Sequence, residues 1–156
     1  MSSVRTPRIA VPFDRVGLVS LADSAFSSLG NYGEALGAWL DDERVTAYVI
    51  DGEVAGLSAM ALLAVASDAQ PVYAYLLAIA TAPELRRQGL ARALLSCCIE
   101  ASRASPLGPK YLELAVADGN NAARALFVSL GFHPVDGPPL RYPRGERART
   151  LRHPLG

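Results

Sequence analysis

Val72-Tyr-Ala-Tyr-Leu-Leu-Ala-Ile-Ala-Thr-Ala-Pro-Glu-Leu-Arg-Arg-Gln-Gly-Leu-Ala91 carries the reading of this chain. Its first ten residues alternate, with Tyr73, Tyr75, Leu77, Ile79 and Thr81 on one face and Val72, Ala74, Leu76, Ala78 and Ala80 on the other. Apolar side chains on both faces predict a central strand covered on each side. From Pro83 the strand gives way to a helix, with Gly89 and Ala91 at the junction and no Ser, Thr or Asp as cap. Small residues let a ligand approach the backbone. Uncapped N–H groups and the helix dipole favour an anion there, phosphate in particular. Arg86 and Arg87 add positive charge at the same place. The plainer reading is a surface turn with two solvated arginines, and this stretch alone does not separate the two.

Working outward, Arg8–Phe13 reads as a short first strand. Asp14–Phe26 reads as a helix carrying Val16, Leu18, Leu21, Ala22 and Phe26, and Tyr32–Glu43 as a second with Ala35, Leu36, Trp39 and Leu40 on one face. Val45–Ile50 is rich in β-branched and aromatic residues. Asp51-Gly52 then predicts a tight hairpin, because glycine accepts positive φ. The return, Glu53–Ala66, has the composition of a helix but the context of a strand. Gly89–Ala104 reads as a helix with Leu90, Leu94, Cys98 and Ala101 on one side, and Lys110–Ala117 as a strand. Asn120–Leu130 reads as a helix closed by Gly131. Phe132–Gly156 is expected to hold two short strands around Pro138-Pro139. The order β-α-α-β-β-β-α-β-α-β-β predicts a single α/β domain over residues 1–156 with one mixed sheet.

Composition bounds the classes. The 156 residues suit one domain, and 51% hydrophobic against 19% charged residues excludes a disordered chain. Fifteen basic residues against fifteen acidic give zero net charge, which argues against nucleic-acid and membrane-surface partners. No stretch matches a membrane span or a signal peptide, and Cys97 and Cys98 read as reduced packing residues, so a soluble cytoplasmic protein is expected. His133 and His153 are far apart with no carboxylate cluster between them, so no metal site is expected. There is no Gly-Lys-Ser/Thr phosphate loop, no serine elbow and no dinucleotide Gly-x-Gly-x-x-Gly after any strand. Arg141, Arg144, Arg147, Arg149 and Arg152 stand against Glu146 in the tail, read either as a solvated strand face or as a contact for RNA or an acidic substrate.

Two motifs together are specific. Arg86-Arg87-Gln88-Gly89-Leu90-Ala91 is one, with Pro83 three residues upstream. The other is Leu114-x-Val116-x-x-x-Asn120-x-x-Ala123-x-x-Leu126-Phe127, followed by Leu130-Gly131-Phe132. In that order and separation they resemble the signatures of the GNAT superfamily of acyl-coenzyme A-dependent N-acetyltransferases. The resemblance is close over about Tyr73–Phe132 and looser over the rest. It implies a mixed, mostly antiparallel sheet flanked by helices, with central strands splayed to admit the thioester, and acetyl-coenzyme A as cosubstrate. It implies that backbone groups of Ile79, Ala80 and Thr81 hold the pantetheine arm, and that the loop of Arg86, Arg87, Gln88, Gly89, Leu90 and Ala91 holds the pyrophosphate. Asn120, Arg124 and Phe127 would line the other side of the arm.

The chain departs from the family at the catalytic positions. Tyr75 stands where many relatives carry a glutamate base, Ala115 where relatives acting on protein N-termini carry one, and Phe127 where a tyrosine commonly protonates the leaving thiolate. The remaining candidates for acid or base are Tyr75, Tyr73 and Glu113, the last on the Ala115 face by the period-2 rule. Direct acetyl transfer to a primary amine of a small molecule or peptide is the implied activity. Its rival is a catalytically weak coenzyme A-binding sensor or interaction module. The acceptor site is expected between about Ser24 and Trp39, the hairpin near Asp51-Gly52 and the tail, with Asp41, Asp42 and Glu43 as an attraction for a cation. A homodimer through sheet edges or the tail stays open.

Overall fold

The computed structural model describes residues 6–26, 32–52, 56–82, 89–136, 140–141 and 147–156. Its elements are β1 (Arg8–Ile9), a 3-10 turn (Pro12–Asp14), α1 (Arg15–Phe26), α2 (Tyr32–Leu40), β2 (Val45–Asp51), β3 (Leu57–Ala66) and β4 (Tyr73–Thr81). After these come α3 (Leu90–Ala104), β5 (Tyr111–Ala117), α4 (Asn121–Ser129), β6 (His133–Pro134), β7 (Leu140–Arg141) and β8 (Arg147–Pro154). The described strands form one eight-stranded sheet in the order β1-β2-β3-β4-β5-β8-β6, with β7 also on β8. Only β4 and β5 run parallel among them. The expected α/β architecture with splayed central strands is what the chain adopts. No described helix is long and apolar enough to cross a membrane.

Each face of the sheet carries its own core. On one, Leu90, Leu94, Leu95, Cys98 and Ile99 of α3 and Phe127 of α4 pack over Ala61, Leu76, Leu112 and Leu114. On the other, Leu18, Leu21 and Ala22 of α1 and Leu36 of α2 pack over Val49, Met60, Leu62 and Ala80. The apolar spacing of the helices accounts for this, since i, i+3 and i+4 positions share a face. Val16 departs from the expected stripe. It is 80% exposed, while Leu18, Leu21 and Ala22 of the same helix face the sheet. Asp14 lies in that turn, where its carboxylate accepts from the Val11 N–H at 2.8 Å and pairs with Arg8 at 2.8 Å. Arg8 also reaches Asp51 at 2.8 Å, and so ties the chain's first strand to the end of β2.

Two details correct the sequence reading. The β2–β3 hairpin exists, but its turn is not Asp51-Gly52. Asp51 pairs with Leu57, and Gly52 N–H donates to the Gly56 carbonyl at 2.9 Å, with the positive φ (75°) at Gly56. The tail holds the eight-residue β8 inserted beside β5, with β6 and β7 on its outer edge, instead of two short strands. Pro138-Pro139 lie outside the described residues.

Candidate active site

β4 does not alternate as its sequence suggests. Leu62 pairs with Ala78 and Leu63 with Leu76, so Leu77 is an extra residue opposed by nothing on β3. Such a bulge bends its strand and increases the local twist. It also reverses the faces. Ala74 and Leu76 join the α3 core before it, whereas Ala78 and Ala80 join the α1–α2 core after it. Tyr75, opposite in phase to Ala74 and Leu76, therefore shares a face with Leu77, Ala78 and Ala80, and not with Ile79. The two-face assignment made from the sequence fails at this one residue.

The bulge sits where β4 leaves β5. Among the described residues their ladder runs Ala74–Leu112, Tyr75–Glu113 and Leu76–Leu114, then stops. Beyond it the strands enclose a cavity of about 310 Å³ lined by Tyr75, Leu76, Leu77, Ala78 and Ile79 of β4 and by Leu114, Ala115, Val116 and Ala117 of β5. Trp39 of α2 borders it as well, with Asn120, Ala123 and Phe127 at α4. Trp39 packs with the core on one face of the sheet and Phe127 with the core on the other, so the cavity passes between the strands and is bounded from both sides.

Local sequence builds each wall. Asn120 caps α4, its Oδ1 accepting from Ala123 N–H at 3.2 Å. The helix ends in a Schellman motif. Phe132 N–H donates to the Phe127 carbonyl and Gly131 N–H to that of Val128, with Gly131 at φ 96°. The accompanying apolar contact is Phe127 on Phe132, with ring centroids 5.8 Å apart, and it holds the Phe127 ring at the cavity wall. At the other helix, Gly89 takes the N-cap position of α3 with φ 79° and no side-chain cap. A Cβ built there would meet nothing within 4 Å, so glycine is needed at this position for its positive φ and not for want of space.

The expected site residues divide. Tyr75, Ile79, Asn120 and Phe127 line the cavity. Ala80 and Thr81 continue β4 past it, paired with Met60 and Ala59 on the β3 side. Gly89, Leu90 and Ala91 form the start of α3, where no side chain caps the helix, and Arg86, Arg87 and Gln88 lie outside the described residues. Arg124 is outside the lining and donates to Asn121 Oδ1 at 3.0 Å. Tyr73 and Glu113 are outside it too, at the closed end of the wedge. Tyr73 stacks on Tyr111 (centroids 5.3 Å apart, 16° between planes), and the Arg152 guanidinium lies 3.8 Å over the Tyr111 ring. Arg152 also donates to Glu113 Oε1 through Nη2 at 2.8 Å and Nε at 3.2 Å. This array joins β4, β5 and β8 where they are still paired.

Several other charged side chains pair with one another among the described residues. Asp41 pairs with Arg15 and Asp42 with Arg44, whose guanidinium holds the Asp42 carboxyl down to about 2. Arg149 of the tail pairs with Asp118 at 3.2 Å. Burial pushes the Cys98 thiol up to about 12, which leaves it an inert packing group. Among the described residues no three His, Cys, Asp or Glu side chains are grouped as metal ligands. Trp39, the end of the segment expected to shape the acceptor site, does border the cavity, whereas sequence reasoning missed Leu77 and the other β4 and β5 lining residues Leu76, Ala78, Leu114, Val116 and Ala117. Strand alternation marked Leu77 only as one face of a central strand.

The family model for the acetyltransferase (GNAT) family matches residues 19–132. No curated protein matches the sequence at a significant level. Among solved structures, the chain is similar to the ribosomal-protein-S18-alanine N-acetyltransferase of Escherichia coli, at 25% identity and a TM-score of 0.78, over 98% of this chain and 95% of that one. It shares its fold with Arabidopsis thaliana NAA60 in complex with a bisubstrate analogue (16% identity, TM-score 0.81, 96% and 97% covered). The same holds for the Vibrio cholerae spermidine/spermine N-acetyltransferase SpeG (19% identity, TM-score 0.74, 99% and 95% covered). The fold, the passage between β4 and β5 and the match over most of the chain place this protein in the GNAT family of N-acetyltransferases, enzymes that take their acetyl group from acetyl-coenzyme A.

Proposed function

We propose that this chain is a cytoplasmic N-acetyltransferase that moves the acetyl group of acetyl-coenzyme A directly to a primary amine of a small molecule or peptide. Both substrates are then bound together and no acyl-enzyme forms. The observation that carries this reading is the cavity open between β4 and β5 and bounded by α2 on one side and α4 on the other. It lets an amine meet a thioester without either passing the other, and holding two reactants in one geometry is itself a large part of catalysis. The cosubstrate supplies an activated acetyl thioester.

The chain's own groups then have distinct tasks. Backbone groups of Ile79, Ala80 and Thr81, on the β4 edge that β5 has left, hold the arm and offer N–H donors to the acetyl oxygen. The first N–H groups of α3, at Leu90 and Ala91 behind Gly89, hold the pyrophosphate with Arg86, Arg87 and Gln88. Asn120 and Phe127 close the α4 side, and Arg124 stands one helical turn beyond Asn120. Tyr75 is the one candidate acid or base that borders the cavity, so the proton shuttle is assigned to it ahead of Tyr73 and Glu113. Thioester consumption across polyamines, aminoglycosides, amino acids and peptides tests the reading. Turnover on at least one amine is expected. Coenzyme A binding with no turnover on any of them would leave a binding module in its place.

A further inference from the structure

Six large apolar side chains are more than half exposed among the described residues, and four of them fall in one segment of eight residues: Ile9 (61%), Val11 (52%), Phe13 (93%) and Val16 (80%). Ile9 ends β1, the outermost strand on its side of the sheet, and Val16 lies in the first turn of α1. Phe13 and Val16 stand three residues apart in continuous helical backbone and so share a face. Beside them runs a groove of about 410 Å³, lined by Ile9, Val11, Pro12, Leu18, Leu40 and Val45 among others. Single apolar residues scattered over a surface need no explanation. A contiguous patch beside an apolar groove marks an interaction site.

We infer that two copies of this chain pair about a two-fold axis at this patch, with Phe13 of each copy seated in the groove of the other. The patch supplies both shapes that such a contact needs. Phe13 follows the lining residue Pro12 but stands outside the lining, almost wholly in solvent, and a cavity of ~150 Å³ already admits a benzene ring. A two-fold contact uses one surface twice, so a ring and a groove on the same chain complete each other across the axis. Charge points to the same occupant. The guanidiniums at the rim are engaged within the chain, Arg8 by Asp14 and Asp51 and Arg15 by Asp41. Among the described residues the rim thus offers no free cation to a nucleic acid or an acidic peptide, and at zero net charge two copies meet without overall repulsion. An aromatic side chain buries about 150–250 Å². Two of them, with their aliphatic neighbours, approach the ~1,200 Å² at the low end of specific interfaces. The pairing does not rest on the acetyl-transfer reading, since β2 and β3 stand between β1 and the passage at β4 and β5.

The test is sedimentation velocity of the full chain from nanomolar to high micromolar concentration. A reversible monomer–dimer equilibrium with no larger particle is expected. Phe13→Glu and Val16→Glu, at exposed positions, bring like charges together across the axis. Each should raise the dimer Kd by about thirtyfold or more while circular dichroism stays unchanged. Phe13→Ala, which adds no charge, should weaken the dimer in the same direction. Leu107→Glu, at a site 53% exposed elsewhere on the surface, should leave it intact. A monomer at every concentration overturns the inference. So does a dimer indifferent to both patch substitutions, or one that Leu107→Glu disrupts equally. Growth beyond two copies would mean that ring and groove meet head to tail without closing, and overturns the two-fold pairing. A monomer that sediments with neutral phosphatidylcholine vesicles, and ceases to in Phe13→Glu, assigns the patch to a bilayer instead.

Discussion

Phe127 shows how one residue carries two roles. It is buried, packs on Phe132 as the apolar contact of a helix cap, and lines the cavity at the position where the family resemblance leads one to expect a tyrosine. If protonation of the leaving thiolate limited the rate, Phe127→Tyr would raise kcat by about a hundredfold. We expect kcat to change little instead, since the ring is fixed by its packing and Tyr75 already borders the same space. Steady-state rates of wild type, Phe127→Tyr and Tyr75→Phe on one accepted amine decide it. At Gly89 the prediction is about charge. Saturation with acetyl-coenzyme A at a hundred times its Kd should stabilise the protein by about 2.7 kcal/mol, read as a rise in Tm. Gly89→Glu should abolish that rise by placing a carboxylate at the anion site. Because φ is 79° there, any side chain costs about 1–2 kcal/mol of backbone strain. Gly89→Ala is therefore the control, expected to lower Tm by itself and keep the ligand-induced rise. An unaltered rise in Gly89→Glu would refute the assignment of this helix start to the pyrophosphate.

Among the elements, β4 is decisive, and its single extra residue does more than any side chain in the site. Leu77 bends the strand away from β5 and reverses which face its later residues present. Deleting Leu77 would restore strict alternation, with Leu76 toward α3 and Ala78 toward α1 as they already are. The variant should keep its far-ultraviolet circular dichroism and a cooperative melt, yet lose the acetyl-coenzyme A-induced rise in Tm, because β4 and β5 can then stay paired past Leu76. Retained cofactor binding would mean that the splay does not depend on the bulge. At the closed end the Tyr73–Tyr111–Arg152 stack, with Glu113 on the same arginine, fastens the strands that the bulge separates higher up. Two of the catalytic candidates, Tyr73 and Glu113, belong to that fastening.

At the scale of the whole molecule, His153 of β8 meets α3 and the turn that closes α4. Its ring lies 5.3 Å from Phe132, its Nε2 is 3.4 Å from Arg103 of α3, and its Nδ1 is buried against the Leu130–Gly131 backbone without a well-formed hydrogen bond. Burial, then the Arg103 charge, lowers its pKa from 6.5, with His133 adding in the same direction. The unfolded chain thus binds the proton more readily than the folded one. The contribution of neutral His153 is fully present above pH 6.5 and is lost as pH falls through 6.5 toward the lower folded value. Tm should fall between pH 7.5 and 5.5, and His153→Leu should reduce that fall; an equal fall in the variant would place the sensitivity elsewhere. The sequence by itself determined the element order from β1 to α4, because helix spacing, the Asn120 cap and Gly131 act within one or two turns of chain. It also determined the family, because motifs around Gly89 and Asn120 are local strings. The bulge was invisible in it, since apolar residues on both faces of β4 hide a break in phase. So were the length of β8 and the separation of Tyr75 from Tyr73 and Glu113. Those depend on which strand pairs with which, across tens of residues, and only packing two cores against one sheet decides that.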